Sequence, residues 1–312
     1  MRLRQWARAA KARAIRFQKA DTPIIVFALR RGGSTMVSDA VSLNPGVWFA
    51  NEPFAVLPPH PGYALKQRIL PPREHTQFFA LTPPEQEKVT RYMEGLLAAE
   101  YRELGSCQNT KPLLRADRVC LKILNTPWMV SHFTETTDAQ IVTVLRHPAA
   151  QALSVIHQKW GFAVEAYYHA RPRIEDMLSQ AQWDCMDAVL GGGDIWKIAV
   201  LDYAVTSKHM REDHKDTLVR YEDIVRAPED FVDGVLIDRL RLEDRTGMIA
   251  SFQSPSGSSR MSQSNTKAAI RSGDKDVVLK RWMDKVDPEM AATGQEILDI
   301  FEVENYTMFD PY

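Results

Sequence analysis

A continuous apolar run spans Ile24–Leu29, and Ile141–Leu145 repeats the pattern with Thr143 as its one polar position. Short apolar runs bounded by polar or turn-forming residues read as strands covered on both faces. Val47–Ala50, Val119–Ile123 and Thr217–Arg220 are further β-branched runs. Between them the pattern changes to helical periods: Pro84–Leu104, Pro148–Lys159, Glu175–Val189, Asp194–Glu212 and Pro228–Leu240. Strands alternating with helices imply parallel pairing. The expectation is therefore a three-layer α/β fold with a central parallel sheet of about five strands. Ligands of such sheets bind beyond the carboxyl ends of the strands. Arg30, Arg31, Lys122, Arg146 and Arg220 lie in or just past those ends.

Other stretches lack a clear period. Leu57–Pro72 is rich in proline and reads as an irregular excursion on the substrate side. Ser251–Asp274, rich in Ser, Gly, Asn and Lys, reads as a long loop. Gly191–Gly193 follows no strand, so it is a linker between helices, with Asp194 as the next N-cap. Asp276–Lys285 and Pro288–Phe301 are closing helices. No repeat or linker divides residues 21–312, which are read as one domain.

Residues 1–20 carry seven Lys or Arg and no acid, and Leu3, Trp6, Ala7, Ala10, Ala14 and Phe17 share a helical face. A membrane-surface helix and an organelle presequence are two readings of this arm. The preferred one is a basic helical arm packing Trp6 and Phe17 onto the domain, with at most weak membrane contact.

Composition adds mainly exclusions. The hydrophobic content is 45%, the charged content 25% and the net charge −1. That balance gives no basic excess for nucleic-acid binding. Cys107, Cys120 and Cys185 make no CxxC pair, so neither a zinc site nor a disulfide framework is expected. No apolar run reaches the roughly 18 residues of a membrane span. These features favour a cytoplasmic protein.

The candidate chemistry begins at Pro23–Thr35. An apolar strand breaks into Arg30-Arg31-Gly32-Gly33-Ser34-Thr35 and then a helical stretch. Backbone N–H groups at such a helix start form an anion site. A phosphate loop of the GxxxxGK[ST] type would place a lysine after the second glycine, and none is there. Arginines before the glycines can still reach an anion as bidentate donors. The bland alternative is a tight glycine turn. A second constellation is Arg146-His147-Pro148 at the end of a strand, followed by a helix that carries Ser154 about two turns on. Those donors could hold a second phosphate, or be a surface ion pair and an ordinary helix residue.

Together the two motifs resemble those of sulfotransferases that use 3′-phosphoadenosine 5′-phosphosulfate (PAPS). Arg31-Gly32-Gly33-Ser34-Thr35 is similar to that family's R-[ST]-G-[ST]-T phosphosulfate loop, with Gly32 in place of Ser or Thr. Arg146-His147-Pro148-Ala149-Ala150 to Ser154 is similar to its R-D-P-R-A-x-x-x-S motif for the 3′-phosphate. His147 replaces the Asp there, and Ala149 the second Arg. Arg220-Tyr221-Glu222-Asp223-Ile224 with Pro228 is similar to its R-Y-E-D-L…P segment.

The resemblance implies a fold like that of P-loop nucleotide kinases, PAPS as co-substrate and no metal requirement. It places Arg31, Gly32, Gly33, Ser34 and Thr35 on the phosphosulfate, Arg146 and Ser154 on the 3′-phosphate, and Tyr221 beside the nucleotide. Asn44-Pro45-Gly46-Val47 through Glu52-Pro53 resembles a segment of carbohydrate- and tyrosine-type members, in which the glutamate is the proposed general base. Glu52 is the matching residue, and a carboxylate suits the task of deprotonating a hydroxyl. Lys122 either stabilises charge on the leaving side or reaches solvent from a strand edge. Ser262 and Lys267, and also Arg271, are candidate 3′-phosphate contacts in the late loop.

His147 and His157 are rival bases. Neither stands where the histidine of cytosolic small-molecule members would be expected, and His157 is placed on the far side of its helix. Both are read as structural. The implied partner is a hydroxyl-bearing acceptor whose pocket lies between Leu57 and Gly105 and between Tyr167 and Gly193. Trp48, Phe54, Tyr63, Phe78, Trp160 and Tyr167 are candidates to line it. A nucleotide kinase and a non-catalytic nucleotide-binding module are the alternatives. The acceptor's identity and the oligomeric state are not legible.

Overall fold

A computed structural model describes residues 15–56, 63–71, 80–101, 106–107, 114–124, 126–159, 161–212, 217–255 and 264–311, with side chains at 106, 107, 209, 212 and 264–267 left aside. Its strands are β1 (Arg16–Phe17), β2 (Ile24–Ala28), β3 (Val47–Asn51), β4 (Ser106–Cys107), β5 (Arg115–Ala116), β6 (Arg118–Ile123), β7 (Gln140–Leu145) and β8 (Leu218–Arg220). The main sheet has the order β4-β3-β6-β2-β7-β8. Five of its strands are parallel, and only the edge strand β4 runs antiparallel, against β3.

Strand β2 owes its central place to an apolar pattern with two faces. Ile25, Phe27 and Leu29 join one buried cluster, with Tyr92, Phe133, Val200 and Leu298. Ile24, Val26 and Ala28 join another, with Val37, Val41, Leu236 and Met248. Alternate side chains thus bury opposite faces, as a sheet between two helical layers requires. Because β6 lies on one side of β2 and β7 on the other, the chain's strand order reverses at β2. Such a switch point leaves a crevice at the carboxyl edge of the sheet.

The helices near that crevice begin with α1 (Ser34–Val41), which follows β2, and α2 (Tyr63–Ile69) and α3 (Pro83–Leu97), which follow β3. After β6 comes α4 (Val130–Thr136), and β7 leads directly into α5 (Pro148–Gln158). Then come α6 (Val164–His169), α7 (Arg171–Ile174), α8 (Gln180–Gly192) and the long α9 (Ile195–Glu212). Strand β8 leads into α10 (Tyr221–Arg226) and α11 (Pro228–Phe231), which continues as a π-helical stretch over Val232–Arg239. Last are α12 (Arg245–Phe252), α13 (Ser264–Ser272), α14 (Lys275–Lys280) and α15 (Pro288–Ile300).

Several elements differ from expectation. Residues 1–14 of the arm lie outside the described residues, and Arg16–Phe17 are a strand paired with Arg115–Ala116. The stretch read as a loop over Ser251–Asp274 is in part helical, because α13 spans Ser264–Ser272. Its Ala269 is buried and Ile270 half-buried, apolar positions that a reading by composition overlooks. Gly191 and Gly192 end α8, Gly193 caps it in the left-handed region at φ 70°, and the Asp194 carboxylate accepts the N–H groups of Trp196 and Lys197. No helix among the described residues is long and apolar enough to cross a membrane.

Arg118 ties this architecture together. Its guanidinium is buried and donates to the carbonyls of Thr22 and Leu240 and to the Gln140 side chain. Replacing it leaves the buried Leu240 carbonyl and the half-buried Thr22 and Gln140 acceptors without this donor, and removes the partner of Asp21 at 3.2 Å. Arg118→Met is therefore expected to lower unfolding free energy by about 3 kcal/mol, read as a lower urea midpoint with an unchanged slope.

Candidate active site

The loop after β2 turns through two residues in the left-handed region, Arg31 at φ 66° and Gly33 at φ 99°. Gly33 must be glycine for a second reason: a Cβ there would lie 2.4 Å from the Tyr221 ring. Tyr221 thus packs its ring against the loop, and joins the segment after β8 to the segment after β2. No side chain caps α1, and Gly33, Ser34 and Thr35 line the cleft above it. An uncapped helix start exposes N–H donors and the positive end of the dipole.

Two arginines converge on this loop. Arg31 donates from Nε to Ser154 Oγ at 2.9 Å. Arg146 donates from Nη1 to the Arg31 carbonyl at 3.3 Å and lies over the Tyr221 ring at 4.9 Å. Burial, and then the neighbouring Arg146 charge, push the Arg31 guanidinium below its usual range. Arg146 Nε is buried without a hydrogen-bond partner. Partial desolvation and like-charge proximity are both relieved by an anion.

A second chain of contacts starts at Glu52, just past β3. Glu52 is in the left-handed region at φ 50°, an uncommon conformation for a residue with a side chain. Its N–H donates to the Lys122 carbonyl at 2.8 Å, which fixes it beside the end of β6. Lys122 Nζ donates to Glu52 Oε1 and to Thr35 Oγ1, each at 3.2 Å. Lys122 is 5% exposed, so it is no strand-edge lysine reaching for solvent. It bridges the anion loop to Glu52.

The cleft holding these groups measures about 570 Å³ and is lined by Arg31, Gly33, Ser34, Thr35, Glu52, Lys122, Arg146, Ser154 and Tyr221. That volume is within the ordinary range for a small-molecule site. Gly32 stands in the same loop, where its N–H closes a turn onto the Leu29 carbonyl at 3.0 Å. The motifs read separately in the sequence therefore meet. Ser262 lies outside the described residues, as does the side chain of Lys267. Arg271 does line the cleft. Arg220 is not among the lining groups and instead pairs with Asp223 at 2.9 Å. Arg30 donates to the Gly161 carbonyl at 2.7 Å.

Other assignments change. Trp48, Phe54 and Tyr167 belong to the apolar core and do not line this cleft. Tyr63 does not line it either, and Phe78 and Trp160 lie outside the described residues. His157 lines the cleft, contrary to the expectation that it faces away. It stands at the exposed rim of the cleft, with Leu153 and Ser154 of the same helix also lining it.

His147 is structural. It is fully buried, stacks on Trp282 at 4.2 Å and caps α5 by accepting the Ala149 N–H at Nδ1. Its Nε2 faces the carbonyls of Thr307 and Asp310 at 2.9 and 3.0 Å, so that nitrogen carries the proton. Its own N–H donates to Glu222 Oε1, and Tyr306 O–H donates to Oε2 of the same carboxylate. The segment after α15 is thus bound to the start of α5, next to Arg146. Sequence alone gave no sign of this network, because its members are separated by 75 residues or more.

A family model described as the sulfotransferase domain matches residues 21–240, and the chain belongs to that family. No curated protein matches its sequence. Among solved structures it is similar to the sulfotransferase domain from the Synechococcus PCC 7002 olefin synthase, at 15% identity and a TM-score of 0.50, over 93% of this chain and 96% of that one. It also matches a sulfotransferase domain from the curacin biosynthetic pathway at 14% identity and a TM-score of 0.46, over 91% of this chain and 99% of the other. The first of these shares the P-loop-like α/β fold.

Burial pushes the His147 imidazole down to about 4, against the two carbonyls that favour its protonated form. The unfolded chain binds that proton near 6.5. His147 therefore supports the fold fully above about pH 6.5 and loses about 3 kcal/mol of that support as pH falls to about 4. His147→Gln is expected to flatten this part of the stability profile, measured by urea unfolding across pH 4 to 7.

Proposed function

We propose that this protein transfers the sulfuryl group of PAPS to an acceptor hydroxyl, with Glu52 as general base. The observation that carries the reading is the joined donor set. Arg31 is bound to Ser154, and Arg146 to the Arg31 carbonyl, beside the uncapped start of α1. Two anionic groups at the ends of one nucleotide would engage both halves of that set.

The residues present fit PAPS. The buried Arg146 Nε lacks a partner, and the cleft it lines also holds Arg31 and the uncapped start of α1. Gly32, Gly33, Ser34 and Thr35 with Arg31 would hold the phosphosulfate, and Arg146 with Ser154 the 3′-phosphate. Tyr221 would support both through its contacts with Gly33 and Arg146. When bound, PAPS supplies a sulfuryl group activated by its bond to phosphate.

Glu52 is held at the cleft with one oxygen bound to Lys122. Its other oxygen can accept a hydroxyl proton as the acceptor oxygen bonds to sulfur. Lys122 sets a positive charge between Thr35 and Glu52, where negative charge gathers on transfer. A metal-dependent kinase is the weaker reading. The loop has no lysine after its second glycine, and no cluster of His, Cys, Asp or Glu suited to a metal appears among the described residues. Carbohydrate, tyrosine and small-alcohol hydroxyls all satisfy this chemistry.

The test is sulfate transfer from PAPS across an acceptor panel. Glu52→Gln is expected to lower kcat by about 100-fold or more, with affinity for adenosine 3′,5′-bisphosphate kept within about twofold. Full turnover by Glu52→Gln would remove Glu52 as the base.

A further inference from the structure

Lys66 sits in the middle of α2 and is fully buried, whereas its neighbour Leu65 is 38% exposed. That reverses the order in which lysine and leucine ordinarily partition between water and the interior. The buried ammonium donates to the Ala55 carbonyl at 3.3 Å. The Ala55 N–H in turn donates to the Glu52 carbonyl at 3.1 Å. Lys66 therefore closes the far end of the four-residue turn that holds Glu52 in its left-handed conformation.

Charge links the two residues as well. Burial lowers the Lys66 ammonium to about 7, and the negative charge of Glu52 is what favours its protonated form. Among the described residues, Glu52 is the charged group acting on Lys66, and Lys122 binds the same carboxylate. A buried lysine costs stability unless its charge is matched. Here the match is a carboxylate that lines the cleft.

We propose that Lys66 is a positioning residue for Glu52: its buried ammonium, bound to the Ala55 carbonyl, holds the turn that presents the Glu52 carboxylate to the cleft. This rests on the reading of Glu52 as general base. Lys122 reaches Glu52 directly, whereas Lys66 acts from behind it, through the Ala55 carbonyl.

The test pairs a titration with kinetics. Lysine side chains labelled at Cε are titrated by NMR in the full-length protein, with the Lys66 signal assigned by its loss in Lys66→Met. Lys66 is expected to titrate near 7 and to move lower in Glu52→Gln. A Lys66 midpoint in the ordinary lysine range, or one unmoved by Glu52→Gln, overturns the proposal without reference to activity.

The kinetic arm uses sulfate transfer at saturating acceptor. Releasing the Ala55 carbonyl lets the turn relax and misplaces the carboxylate, so Lys66→Met should lower kcat by about tenfold. Affinity for adenosine 3′,5′-bisphosphate should stay unchanged, and Lys66→Arg should restore part of kcat. A kcat identical in wild type and Lys66→Met overturns the role in catalysis. Full turnover by Glu52→Gln, with the Lys66 midpoint still lowered, instead overturns the base reading while the pair itself stands.

Discussion

Two guanidinium groups, Arg31 and Arg146, are held within each other's field at the carboxyl ends of neighbouring parallel strands. Like charges in a half-buried place are unfavourable unless something offsets them. Here the offsets are partial. Ser154 accepts from Arg31, the Arg31 carbonyl accepts from Arg146, and the Tyr221 ring lies beneath Arg146. The remaining positive field points into a cleft lined by an uncapped helix start. Much of the surrounding architecture serves to keep these two side chains where they would not stay unaided.

The restraints come from three directions. From the sheet, β2 and β7 pair over five positions and set the separation of the loops that follow them. From behind, Tyr221 fills the space that Gly33 leaves open. From the chain's far end, Tyr306 and the backbone at Thr307 and Asp310 bind Glu222 and His147, which flank Arg146 and Tyr221 in sequence. Two of the strained backbone positions lie in the same place. Arg31 and Glu52 both adopt left-handed backbone, and each belongs to a loop that the sheet and its neighbours hold on both sides. Lys122 joins those two loops through Thr35 and Glu52. The loop after β2 and Glu52 are thereby one connected unit.

The sheet was legible because β2, β6 and β7 are buried on both faces, and their apolar runs have no competing explanation. The loop at Arg31–Thr35 and the pair Arg146 and Ser154 were legible because each follows such a strand at a fixed spacing. What sequence could not show depends on contacts between distant elements. The place of His157 depends on how α5 turns against the sheet, which helical spacing alone does not fix. Trp48 and Phe54 read equally well as core or lining, since an aromatic ring serves either. Lys66 carried no signal at all: a lysine in a polar-looking helix is ordinarily solvent-facing, and only the turn at Glu52–Ala55 makes its burial intelligible. The helix α13 was hidden by a composition of Ser, Asn and Lys that a loop would share.

The central claim is that Arg146 and Ser154 recognise a phosphate that ordinary adenine nucleotides lack. Calorimetric titration with adenosine 3′,5′-bisphosphate and with adenosine 5′-phosphate tests it most directly. Wild type should bind the bisphosphate at least about tenfold more tightly, since a charge-assisted contact contributes about 1.5–3 kcal/mol. Arg146→Ala should abolish that preference while leaving the monophosphate affinity nearly unchanged. Equal affinities in wild type, or a preference that survives Arg146→Ala, would contradict the account.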